Sequence, residues 1–183
     1  VAEIVTEDGA KNSARHKFYL LNAKRPDNFV QLDDQGRYTV GGKAYFPLSI
    51  YEVKPEYMKE VREAGFDNVH LYSWEGSAPD SDCRKYLDQC WAADGLRAFV
   101  GFNRGRDGKG LMQGNYDMVA RRVGALADHN GLFCWYLYDE PELLDQFISP
   151  ARLRSYRELI NALDPYHPVV LSTWNNAMVG FRD

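Results

Sequence analysis

Basic excess, long apolar runs and patterned cysteines are all scarce in this chain. Lys and Arg number 22 against 26 Asp and Glu, a formal net charge of −4. That balance lacks the basic footprint of a nucleic-acid binder, and Arg104-Gly105-Arg106 is too short to form a patch. No nucleic-acid partner is expected. No apolar stretch approaches the ~20 residues that a membrane-spanning helix needs. The three cysteines, Cys83, Cys90 and Cys134, make no CxxC motif and no Cys/His spacing suited to a metal. They read as small core or surface residues, and no metal site is expected. The N-terminal VAEIVTEDGAKNSARHK has no charged-then-apolar leader pattern, which leaves the compartment open.

What is present suffices for a core: 45% of the 183 residues are hydrophobic and 14% aromatic, which fits one domain. Residues 1–36 are polar with little periodicity and read as an extended lead-in to a unit spanning 37–183. RYTVGGKAYF then sets two alternating runs around Gly41-Gly42, a tight hairpin signature because both glycines accept positive φ. From there strands and helices alternate. The strands are AYFPLSIY (44–51), FDNVHLYSW (66–74), LRAFVGFN (96–103), GLFCWYLY (131–138) and PVVLSTW (168–174). The helices run from about 54 to 64, 82 to 93, 118 to 129 and 150 to 163, with Gly65 and Gly95 as stops. Arg121 and Arg122 read as ordinary helix exterior.

Apolar strands divided by helices call for parallel βαβ units, so the fold class is α/β. The first strand-to-helix turn, SIYEVKPE, has no glycine and excludes a phosphate-binding nucleotide fold. A (β/α)8 barrel of the TIM type remains. A complete barrel has eight strands and ~250 residues, and five are read here. A further domain or chain is therefore expected to complete it.

In such barrels chemistry sits at the C-terminal strand ends. Those ends carry Tyr51 and Glu52; His70, Tyr72, Ser73 and Trp74; Asn103 and Arg104; Asp139 and Glu140; and Trp174, Asn175 and Asn176. Aromatic rings stack on the apolar faces of pyranoses, and amides and carboxylates bind their hydroxyls. A carbohydrate ligand is expected, with Tyr51, His70, Tyr72, Trp74, Asn103, Trp174 and Asn175 as its contacts.

The succession TVGGKAYFPLSIY, EYMKEVREAGFDNVHLYSW, WYLYDEPE and LINALDPYHPVVLSTWN resembles the large clan of retaining (β/α)8-barrel glycoside hydrolases, which includes β-galactosidases and many β-glycanases. The resemblance covers residues 37–176 and implies O-glycosyl bond hydrolysis. In that clan the fourth strand ends in Asn-Glu, often before Pro, and the Glu is the general acid/base. The resemblance thus assigns Glu140 that role, with Asp139 beside it in the sugar subsite. It implies no cofactor, because two carboxylates and a water suffice. The second carboxylate, the nucleophile at the end of the clan's seventh strand, has no counterpart among the five strands read here. Two departures stand out: Asp139 replaces the usual Asn, and His70 is the nearest match to the clan's Arg near the second strand end. An inactive glycosidase-like module that binds carbohydrate or serves assembly is the alternative. Extracellular placement follows only from the usual habitat of polysaccharides.

Each signal also has a plainer reading. Asp139-Glu140-Pro141 satisfies helix-start chemistry, since Asp caps, Pro suits the first turn and acids favour the positive end. Trp74 and Trp174 serve equally well as core residues, Trp135 reads as core, and His70 fits a hydrogen-bonded interior histidine.

Overall fold

The computed structural model describes residues 2–5, 11–14, 25–70, 78–104, 109–143 and 147–173. The segment read as an extended lead-in contains strands. β1 (Ala2–Val5) and β2 (Lys11–Ala14) pair antiparallel, and β3 (Val30–Leu32) joins β4 (Tyr38–Val40) and β5 (Lys43–Tyr45) in an antiparallel sheet in that order. The β4–β5 hairpin turns on Gly41 and Gly42, whose φ angles of 55° and 80° are the left-handed values that the paired glycines foretold.

The run AYFPLSIY is not one strand. Pro47 donates no backbone hydrogen bond and interrupts the ladder. β5 ends at Tyr45 within the antiparallel sheet, whereas β6 (Ser49–Tyr51) belongs to a second, parallel sheet. Phe46, between them, is 83% exposed.

That second sheet carries the site. β6, β7 (Asn68–His70), β8 (Arg97–Gly101), β9 (Leu132–Asp139) and β10 (Val169–Ser172) lie in the order β10-β9-β8-β7-β6, every neighbouring pair parallel. A doubly wound sheet would reverse its strand order at a switch point. Here each strand lies beside its predecessor, the arrangement of consecutive units in a (β/α) barrel.

Helices α1 (Met58–Glu63), α2 (Asp80–Ala92), α3 (Tyr116–Leu126) and α4 (Pro150–Leu163) connect successive strands. Their sequences explain their bounds. Asn115 caps α3 by accepting from Met118 N–H at 3.0 Å, and Ser149 caps α4 just ahead of Pro150 at its first position. α2 buries Cys83, Tyr86, Leu87 and Cys90, a stripe at i, i+3, i+4 and i+7. α3 buries Met118, Val119, Val123 and Leu126 on its own stripe.

Arg122 shares that buried face, contrary to its reading as helix exterior. It is 3% exposed, and its guanidinium donates to Asp80 Oδ1 at 2.9 Å, to the Gly101 carbonyl at 2.7 Å and to the Ala78 carbonyl. Three acceptors around a fork of donors offset the desolvation of a buried cation.

The parallel sheet has two covered faces. Val69, Ala98, Val100, Trp135, Leu137 and Leu171 meet the helices. On the other face Phe99, Phe133, Cys134 and Val170 meet Val30, Tyr38, Val40 and Tyr45 of the antiparallel sheet. The Tyr38 and Tyr45 rings lie 5.2 and 5.6 Å from that of Phe133. Since Phe133 is early in β9, the antiparallel sheet covers the N-terminal part of this face and leaves the C-terminal part to other residues.

A buried polar network fastens the two sheets. Asp164 accepts from the Trp135 indole N–H at 2.8 Å and from Tyr166 N–H at 3.0 Å, and it holds His167 Nδ1 at 2.8 Å. His167 Nε2 lies 3.1 Å from the Asn28 carbonyl, and Val30 N–H donates to the Tyr166 carbonyl at 2.9 Å. His167, which precedes β10, thus stands at the end opposite the strand tips.

Close packing gives one test. A Cβ added at Gly131 would meet the Leu87 carbonyl oxygen at 2.7 Å and His129 Nδ1 at 3.1 Å. Backbone of α2 has to move to admit it. Gly131→Ala should cost about 1–3 kcal/mol, read as a lower urea midpoint with an unchanged slope; an unchanged midpoint would refute the packing described.

Candidate functional site

The C-terminal tips of the parallel strands bring several polar side chains together, and β9 decides which. Side chains on a regular strand alternate faces, so positions three apart point opposite ways. β9 breaks that rule twice. Its register shifts against β8 between Ala98 and Phe99, whose partners are Leu132 and Cys134, and against β10 between Val170 and Leu171, whose partners are Tyr136 and Tyr138. Each shift inserts one residue, as in a β-bulge. The second moves Asp139 onto the face that carries Tyr136, while Leu137 and Tyr138 both enter the helix-side core.

Asp139 is the hub. Its Oδ1 accepts from the Tyr136 hydroxyl at 2.7 Å and the Ser172 hydroxyl at 2.5 Å, and its Oδ2 accepts from Arg104 Nη2 at 3.2 Å. The two hydroxyl oxygens are 2.7 Å apart. Residues from the ends of β8, β9 and β10 therefore converge on one half-buried carboxylate. The Arg104–Asp139 ion pair is shielded, with 23% and 17% of its side chains exposed.

Aromatic contacts extend the cluster across the sheet. The His70 ring is 4.4 Å from the Tyr136 ring, 5.5 Å from Phe99 and 5.4 Å from Tyr51, the last edge-on. His70 and Tyr136 meet across β8 where Gly101, paired with Tyr136, has no side chain to interpose. His70 is 7% exposed and Tyr51 55%, so the row runs from a buried imidazole to an open ring.

Glu140 follows β9 directly. Its N–H still donates to the Ser172 carbonyl at 3.0 Å, but its φ is 49°. Left-handed backbone costs a residue with a Cβ about 1–2 kcal/mol, and such strain gathers at functional sites. Glu52, directly after β6, has φ of 54°. The plainer reading of Asp139-Glu140-Pro141 as a helix start does not hold, since residues 140–143 form a turn.

Of the sequence-derived candidates, Tyr51, His70, Asp139 and Glu140 stand at the strand tips, and the first three belong to one chain of contacts through Tyr136. Asn103 is half-buried, and its carbonyl accepts from Leu111 N–H at 2.9 Å. Tyr72, Trp74, Trp174 and Asn175 lie outside the described residues. Tyr136 and Ser172 escaped the sequence reading, because no pattern in FCWYLYDE announces the register shift. Among the described residues no group of three or more His, Cys, Asp or Glu side chains is placed to hold a metal ion, and no helix is long and apolar enough to cross a membrane. A groove lined by Leu137, Leu153, Arg154, Arg157, Val169 and Leu171 lies beside α4, apart from this cluster.

Burial pushes the Tyr136 phenol well above its ordinary value, and the Asp139 carboxylate acts in the same direction, opposed by the Ser172 contact. The phenol is a hydrogen-bond donor here, not a base. Burial also raises Tyr45, and it pushes Tyr156 up to about 12.

No family model matches the sequence, and no curated protein sequence matches it. Solved structures do share its shape. A β-mannanase from the blue mussel Mytilus edulis superimposes with a TM-score of 0.63 at 16% identity, over 83% of this chain and 66% of that one. A GH2 β-galacturonidase from Eisenbergiella tayi gives 0.57 at 14% identity, over 79% and 28%. A Parabacteroides merdae β-glucuronidase gives 0.54 at 15%, over 78% and 20%. The chain thus spans from 20% to 66% of the length of these three proteins. At such identities the likeness is one of fold.

The raised phenols of Tyr45, Tyr136 and Tyr156 should make the fold sensitive to alkali. Below about pH 10, the ordinary tyrosine value, folded and unfolded chains both keep these phenol protons. Above it the unfolded chain releases them while the native one retains them, so unfolding gains. The urea midpoint should be flat with respect to Tyr45, Tyr136 and Tyr156 up to about pH 9 and fall beyond about pH 10; Tyr136→Phe should make the fall shallower. The chain has a glycosidase-like fold.

Proposed function

We propose that this chain is the N-terminal part of a glycoside hydrolase barrel, residues 37–183 supplying five of its βα units, and that it acts on a β-linked carbohydrate. One observation carries the reading: the fourth parallel strand delivers Asp139 and Glu140 to a point where the tips of β8 and β10 contribute Arg104 and Ser172. Glu140 is the general acid/base, protonating the glycosidic oxygen and then activating water, with retention of configuration. A further domain or chain brings the nucleophile. Asp139 is a fixed acceptor and Arg104 a fixed donor beside it, a pair complementary to neighbouring sugar hydroxyls. His70 and Tyr51 give the sugar an aromatic wall.

A second reading draws on the same Asp139 geometry. A carboxylate engaged by three protein donors suits a module that holds carbohydrate without cleaving it.

Glu140→Gln separates the two. In a native polypeptide containing the whole barrel, the variant should lose about 10²–10⁴-fold in turnover of β-glycosides and keep saccharide affinity, measured by initial rates and calorimetry. Unchanged turnover removes Glu140 from the mechanism. A wild-type barrel that binds saccharides but never hydrolyses them selects the second reading.

A further inference from the structure

We infer that Tyr136 and Ser172 are positioning residues that lock Asp139, and through it Arg104, in the orientation the site uses. The inference rests on the carbohydrate reading for its purpose, but its geometry stands alone. An unrestrained Asp rotates about two side-chain bonds. Here Oδ1 takes two hydroxyl hydrogen bonds, at 2.7 and 2.5 Å, from two different strands. The carboxylate plane is thereby fixed, and Oδ2 is turned to Arg104 at 3.2 Å. An ionised carboxylate accepts about four hydrogen bonds, so Oδ1 can take both hydroxyls while Oδ2 engages Arg104.

The donors are themselves held. The Tyr136 ring packs 4.4 Å from His70, and Ser172 pairs in register with Asp139 while its carbonyl receives Glu140 N–H at 3.0 Å. One clamp thus fixes the acceptor at position 139 and the backbone that presents Glu140. The register shift at Leu137–Tyr138 is what lets the clamp close, because without it Tyr136 and Asp139 would face opposite sides. Asp139 is then an anchor, and proton transfer falls to Glu140 alone.

The test uses Tyr136→Phe and Ser172→Ala, each removing one hydroxyl while the Phe ring keeps its place against His70. Arg104 guanidinium N–H exchange, followed by NMR on the chain as it stands, should be about tenfold faster in each variant, the effect of one lost hydrogen bond to a charged group. Exchange unchanged in both variants overturns the proposal. The second readout, in a native polypeptide containing the whole barrel, is binding of β-1,4-mannotetraose, cellotetraose and methyl β-D-glucuronide. Each single variant should weaken binding of the saccharide the wild type accepts by about 3–10-fold, and the double variant no more than Asp139→Ala, since all act on one carboxylate. Fully additive losses overturn the proposal too. If the wild type binds none of the three, the carbohydrate reading fails and Arg104 exchange alone decides the clamp.

Discussion

β9 is the strand on which the rest of the molecule hangs. It has eight residues, pairs with β8 on one side and β10 on the other, and shifts register once against each. Those shifts let a single strand serve three surroundings. Trp135, Leu137 and Tyr138 fill the helix side, Phe133 and Cys134 meet the antiparallel sheet, and Tyr136 and Asp139 reach the tips. Strict alternation would serve only two. Each extra residue interrupts the ladder locally, and dense packing on both faces offsets that cost.

The sequence made the order of elements readable because buried parallel strands are short apolar runs and helices show three-to-four spacing. Gly65 and Gly95 marked helix ends, and Gly41-Gly42 marked the hairpin. The alternation of apolar strands and helices made the parallel sheet readable, and its five strands lie in sequential order. What stayed hidden depends on tertiary geometry. Whether Pro47 ends a strand or sits at its edge is settled only by which sheet claims Tyr45 and which claims Tyr51. The burial of Arg122 depends on carbonyls at Ala78 and Gly101, remote from it in the chain. Tyr136 became part of the site only through a register shift that composition does not encode. The strands before residue 37 are three or four residues long, too short to show a period.

Fold and function separate here in a specific way. The likeness to a mannanase, a galacturonidase and a glucuronidase concerns the arrangement of strands and helices, and one arrangement hosts many chemistries. The local chemistry of this chain is an ion-paired Asp at the strand tips and an imidazole among aromatic rings. A charged acceptor with its donors attached admits fewer hydrogen-bond patterns than an amide.

The tie between His167 and the Asn28 carbonyl joins residues 139 positions apart. Closing so long a loop is entropically slow to begin, although the cost grows only logarithmically with length. The helices and adjacent parallel strands, by contrast, are close in sequence and need no such closure. Loop closure therefore favours an order in which the antiparallel sheet docks after α4 and the turn at Asp164–His167 have formed. Until that sheet docks, the face of the parallel sheet that carries Phe99, Phe133, Cys134 and Val170 lacks this cover.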